Sequence, residues 1–177
     1  MKIQHQWIDT KGWIYYRDWL LIEGVEFAKR PYVRFFKRRK KAWNLSNEQL
    51  LEFPMGSLGA ELGHFLQERD LRLVDKLEDH DIMHVLLDLD TQVEAEAIMQ
   101  FLLWGNGKCS LFCLGTAAIS WLLLPAIRTE LKAAYHSGKR MRRFHDWKFQ
   151  FLLREPLPLL KAMLHKDFGE LEAPFLW

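Results

Sequence analysis

Two cysteines in 177 residues are too few for a disulfide framework. Cys109 and Cys113 also stand four apart in an apolar run, which is not the two-residue spacing of a zinc knuckle. They read as buried free thiols, compatible with a reducing compartment. Charge of one sign is scarce too: a formal net charge of +2 is too small to predict nucleic-acid binding by itself. The opening "MKIQHQWIDTKGWIYYRDW" lacks the unbroken apolar core and small-residue cleavage site of a secretory signal, so the chain is expected inside the cell. Almost no stretch alternates β-branched residues with period two, which argues against a sheet. No internal repeat and no linker divides residues 1–177, so the expectation is a single domain.

The chain does hold apolar surface. A hydrophobic share of 49%, an aromatic share of 14% and eight tryptophans exceed what a disordered chain carries. The length suffices to bury a core without a structural metal, so a metal here would serve chemistry. Apolar residues at three- and four-residue spacing predict an all-α, compact multi-helix fold. Helices are expected at about 13 to 29, after Ser46, at 57 to 68 from Ser57 or Gly56, at 76 to 87, 92 to 104, 110 to 136 with a break near Pro125, and 144 to 165 with a disturbance at Pro156 and Pro158. The tail from 166 to 177 reads as loosely attached. The uncharged run at 109 to 127, diluted by Gly115, Thr116, Ser120 and Pro125, reads first as a buried core helix lining an apolar cavity. Contact with a membrane surface and a true span are the other readings.

The stretch "HDIMHVLLDLDTQVEAE", 80 to 96, carries the chemistry. On a helix over 76 to 87, His80 and His84 lie one turn apart on one face, with Asp81 on an adjoining stripe. In one unbroken helix Glu96 would be ~18 Å from His84. Thr91 followed three residues later by Glu94 reads as a capping box that starts a second helix. His84 lies six residues before the turn near Asp90 and Glu96 six after it, so an antiparallel helical hairpin would bring the two level. Two neutral nitrogens and two carboxylates suit zinc, and also ferrous iron or manganese. The competing reading is a histidine pair and solvated acids with no common ligand.

These residues resemble the hallmark of the Coq-four family of ubiquinone (coenzyme Q) biosynthesis proteins: histidine-aspartate, two residues, histidine, eleven residues, glutamate. A second stretch, "FPMGSLGAELGHFL", with Phe53, Pro54, Gly56, Ser57, Leu58 and Gly59, looks like the family's proline-x-glycine-serine-leucine-glycine entry to a helix. "SGKR" at 137 to 140 and "FHDWKF" at 144 to 149 look like its glycine-basic turn and the acidic-tryptophan helix that follows. The resemblance covers about 13 to 165. Gly107, Lys108 and Cys109 stand where relatives often have glycine-x-proline.

The resemblance implies a helical domain with a divalent metal, zinc first and iron or manganese next, held by His80, Asp81, His84 and Glu96. It also implies frequent homodimerisation and a channel for a polyprenyl tail at a membrane surface. The implied activity is that of a lyase, removing the ring carboxylate of a polyprenylated hydroxybenzoate, with hydroxylation at that carbon. Asp81 is a fourth ligand or orients a histidine. Ser57 and nearby amides either cap their helix or receive an anionic headgroup. The run "KRPYVRFFKRRKKAW", 29 to 43, interleaves eight basic residues with Tyr32, Phe35, Phe36 and Trp43, and Lys139, Arg140, Arg142 and Arg143 repeat the pattern. A solvated face, anionic lipid headgroups and nucleic acid compete for it, and peripheral docking on the cytoplasmic face of the inner membrane is favoured over nucleic acid. The alternative to an enzyme is a non-catalytic scaffold or carrier that presents a prenylated lipid to other quinone-biosynthesis proteins.

Overall fold

A computed structural model describes residues 41–167. The helix expected at 13 to 29, most of the basic run and the tail after Gly169 lie outside the described residues. Within them the protein is all-helical: two isolated β-bridges, Ser57 to Pro156 and Met141 to His165, are its only extended pairings.

Local chemistry sets most helix starts. α1, Asn47–Leu51, opens on a full capping box: the Ser46 hydroxyl accepts from the Gln49 amide, and the Gln49 side chain accepts from the Ser46 amide at 2.9 Å. α2, Leu58–Glu68, starts at Ser57, whose hydroxyl accepts from Ala60, and buries Leu58, Leu62 and Leu66. α3 spans Glu78–Leu87 and ends at Asp88, which adopts the left-handed conformation at φ 53°. α4 spans Val93–Gly105 and α5 Leu111–Leu123, the latter capped by Ser110. Leu124 and a 3₁₀ turn, Pro125–Ile127, then redirect the chain into α6, Arg128–Arg140, as the Pro125 break predicts.

The C-terminal stretch is two short helices, α7, Phe149–Leu152, and α8, Leu157–Met163, rather than one disturbed helix. Pro156 and Pro158 sit just before and within the first turn of α8. There a missing amide leaves no intrahelical bond unmade, so the prolines start a helix instead of interrupting one.

Among the described helices the most extensive contact is α4 on α6, followed by α1 on α2, α4 on α5, α2 on α3 and α3 on α8. Phe144, Phe149, Leu58, Leu62, Ile82, Met83, Met99 and Leu103 are fully buried between them. α3 and α4 follow each other across the link 88–92, with slight helix-to-helix contact. α3 lies mainly on α2 and α8 and α4 on α5 and α6, while the side chains of His80, His84 and Glu96 meet between α3 and α4.

Several expectations are corrected. Thr91 and Glu94 do not form a capping box: the Thr91 amide donates to Asp90 Oδ1 at 2.7 Å, and Gln92 precedes the first helical residue. "SGKR" is the last turn of α6, not a loop, and of "FHDWKF" only Phe149 is helical. Trp43, read as an interfacial aromatic, is a core residue whose amide donates to buried Glu78 at 2.9 Å. Cys109 is exposed, whereas Cys113 is buried and its thiol donates to the Gln100 carbonyl.

α5 also departs from the core-helix reading. It buries Cys113, Ala117 and Ser120 but presents Leu111, Ile119 and Leu122 to solvent, at 74%, 51% and 69% exposure. Being uncharged throughout does not bury a helix on every side. Among the described residues no single helix is long and apolar enough to cross a membrane, and α5 bends by 101° from the segment that follows it.

Candidate metal centre

α3 presents His80 and His84 one turn apart, and Glu96 reaches them from the first turn of α4. Glu96 Oε1 lies 3.2 Å from His80 Nε2 and 3.1 Å from His84 Nε2, and the two nitrogens lie 3.3 Å apart. His80, His84 and Glu96 are the group of potential ligands among the described residues whose donor atoms fall within 4.8 Å of one another.

Those separations fit one ion. Donors ~2.1 Å from a common metal stand ~3.0 Å apart at a right angle and ~3.4 Å apart at the tetrahedral angle. The three observed distances fall between these limits. Chemistry points the same way, because the nitrogens and the carboxylate oxygen are all acceptors unless a proton or another cation lies among them. Three protein donors with room for a further ligand is also the pattern of catalytic rather than structural zinc sites.

His84 is 2% exposed. Its Nδ1 lies 3.2 Å from the Leu89 carbonyl, which can only accept, so Nδ1 carries a proton; Nε2 faces Glu96, donating to it when the ring is protonated and offering its lone pair to a metal when that proton is displaced. Phe65 of α2 stacks on the ring with centroids 5.6 Å apart. Asp81 is half-buried and does not join the trio. Its charge nonetheless acts on His84, helping to hold the imidazolium form.

Electrostatics ties the trio together without metal. Burial, the largest single influence, pushes the Glu96 carboxyl up, but hydrogen bonds and charge from His80 and His84 outweigh it and bring it down to about 2. Burial likewise depresses His84, and the hydrogen bond and charge of Glu96, the Leu89 carbonyl and the Asp81 charge raise it above its ordinary 6.5. Glu96 therefore adds stability that is complete above 4.5 and lost as the pH falls toward 2. His84 adds stability that is complete below 6.5 and lost as the pH rises through its raised value. Thermal melting of metal-free protein is expected to show this contribution undiminished between pH 4.5 and 6.5 and reduced on both sides. Divalent metal must displace the His84 proton, so its stabilising effect is expected to grow as the pH rises above 6.5.

Other expected site features fare differently. Ser57 is buried, and the Leu58 and Gly59 amides donate to the Glu155 and Leu153 carbonyls at 2.9 and 2.8 Å. The start of α2 is thus saturated and has no amides left for an anionic headgroup, so Ser57 is a cap only. Lys139, Arg140 and Arg143 are exposed and Arg142 is half-buried. Sequence reasoning did not find Phe65, the Leu89 carbonyl or Gln100. Gln100 lies one turn beyond Glu96, is 3% exposed, and has a side-chain oxygen with no hydrogen-bond partner among the described residues. Its four-residue spacing from Glu96 was the signal available for it.

No family model matches the sequence, and no curated protein matches it. A solved structure from Nostoc punctiforme, of a protein provisionally named a ubiquinone biosynthesis protein, superposes with a TM-score of 0.55 at 22% identity. The match covers 84% of this chain and 81% of that one. At this identity the likeness establishes the fold.

Proposed function

We propose that this protein is a metal-dependent protein of isoprenoid-quinone biosynthesis that removes the ring carboxylate of a polyprenylated hydroxybenzoate. The observation that carries the proposal is the convergence of His80, His84 and Glu96 donors from two helices. The family-like spacing of these residues supports it, as does a fold shared with a protein provisionally named for ubiquinone biosynthesis.

In this reading His80, His84 and Glu96 would hold a divalent ion, zinc or alternatively iron or manganese, and Asp81, outside the trio, would act through its charge on His84. Such an ion supplies Lewis acidity toward the negative charge that develops on a phenol ring as a carboxylate departs. The carboxylate leaves as CO2 with its bonding pair retained on the ring carbon, where a proton takes it up.

Buried His84 and half-buried His80 and Glu96 hold the reacting end of the substrate. The prenyl tail requires apolar surface, which the exposed Leu111, Ile119 and Leu122 of α5 provide at a membrane face. The exposed Lys139, Arg140 and Arg143 at and after the end of α6 would meet anionic lipid, and homodimerisation belongs to the same proposal.

The test is CO2 release from a prenylated hydroxybenzoate labelled in its ring carboxylate, presented in anionic vesicles. Release that requires added metal and falls to background in His84→Gln supports the enzyme. Vesicle and lipid binding by metal-loaded protein without any CO2 release would instead favour a carrier, the role that the apolar stripe on α5 would serve alone.

A further inference from the structure

The metal-facing nitrogen of His84 is governed from the far edge of its ring. The Leu89 carbonyl that accepts the Nδ1–H hydrogen bond belongs to a short turn after α3, and that turn is held at three points. Its own amide donates to the His84 carbonyl at 2.9 Å, across an Asp88 in the left-handed conformation. On one side Lys161 Nζ, from α8, lies 2.5 Å from Asp88 Oδ1. On the other, Arg69 Nε, at the end of α2, lies 3.5 Å from Asp90 Oδ1. The Arg69 guanidinium also sits 4.1 Å from the centre of the Phe65 ring, and Phe65 stacks on His84.

We propose that Arg69 and Lys161 are positioning residues, clamping the 88–90 turn from both sides so that the Leu89 carbonyl fixes the tautomer and direction of His84. The consequence for metal binding rests on the function proposed above; the consequence for the ring itself does not. A ligand whose second nitrogen is fixed by a hydrogen bond binds metal more tightly, because no orientation or tautomer must be selected on binding. The clamp residues line a solvent-open groove of about 460 Å³, and their carboxylate partners are 77% and 53% exposed. Exposed pairs of this kind contribute little to global stability. The clamp therefore has a signature that a purely structural role lacks: its loss changes the site while the fold stays put.

The experiment compares wild type, the double variant Arg69→Gln/Lys161→Met, and Lys161→Arg. Nitrogen-15 NMR of the imidazoles in metal-free protein reads the tautomer and the protection of the His84 Nδ1 proton. Competition with a chromophoric chelator reads zinc affinity. The expected result is a protected Nδ1 proton in wild type and in Lys161→Arg, and a rapidly exchanging one in the double variant. Zinc binding by the double variant is expected to weaken about 10-fold, with melting shifted by no more than about 4 °C. An unchanged Nδ1 proton together with unchanged zinc affinity in the double variant would overturn the clamp, as would a Lys161→Arg variant that loses the protected proton as fully as the double variant. Failure of wild type to bind zinc, iron or manganese would overturn the metal reading instead, while the Nδ1 proton would still decide the clamp.

Discussion

Gly138→Ala is expected to destabilise the protein by about 3 kcal/mol, lowering the urea midpoint accordingly. Helix propensity alone gives the opposite sign, since alanine is favoured over glycine inside a helix by about 1 kcal/mol. Packing decides. A Cβ on Gly138 would collide with the Leu102 carbonyl oxygen and stand 2.9 Å from both Leu102 C and Asn106 N, all of them backbone atoms of α4 or its end. Gly105 of α4 meets the Tyr135 carbonyl of α6 in the same way. The two helices thus cross backbone against backbone, and neither can yield without moving the other. Buried Asn106 fastens the crossing: its amide donates to the Gly138 and Arg142 carbonyls at 3.2 and 2.9 Å, and its oxygen accepts from Phe144 at 3.0 Å. Because α4 carries Glu96, widening this crossing also displaces a proposed ligand. Equilibrium urea unfolding of Gly138→Ala and Gly105→Ala checks the sign, and a stabilised variant would show that the helices are not in contact here.

Glu96→Gln is expected to weaken divalent-metal affinity by at least about 100-fold, beyond the range seen when an orienting partner is altered. The substitution keeps the size of the side chain and removes its charge, leaving an amide oxygen that is a poor substitute for a carboxylate. The metal-dependent CO2 release proposed above falls to background with it. The metal-free protein is expected to remain folded, because the Glu96 side chain is 32% exposed and an amide can still hydrogen-bond. His84 supplies an independent readout. Without the charge of Glu96, and with an amide oxygen that accepts more weakly than a carboxylate, burial gains weight and the His84 pKa is expected to drop. An NMR titration of the His84 ring in Glu96→Gln, set beside wild type, measures that drop directly. A His84 titration that does not move would mean that the two side chains are not in contact.

The helical class, the capped starts at Ser46 and Ser57 and the break at Pro125 were legible because each depends on a few adjacent residues. The trio was legible for a different reason: the four-residue spacing of His80 and His84 survives in any helix, and a turn near Asp90 is enough to return Glu96. What failed were the inferences that needed tertiary knowledge. Gly138 reads as a turn residue because glycine punctuates loops, whereas it is demanded by a backbone lying across it. Trp43 reads as interfacial because basic residues precede it, yet its ring is in the core. The capping box at Thr91 lost to a competing local bond, because Asp90 takes the Thr91 amide first. Leu111, Ile119 and Leu122 read as core because nothing in a uniformly apolar run distinguishes its inner from its outer face. Leu89 acts through its carbonyl, which every residue has, so no side-chain pattern could reveal it.

The central claim is that His80, His84 and Glu96 converge on one ion. Elemental analysis of purified protein tests it most directly, with wild type beside His80→Ala and Glu96→Ala, prepared without added metal and with a chelator-washed control. The account predicts close to one divalent ion per chain in wild type and its loss in both variants. Wild-type protein that takes up no zinc, iron or manganese even when each is offered, or variants that retain their ion, would contradict it.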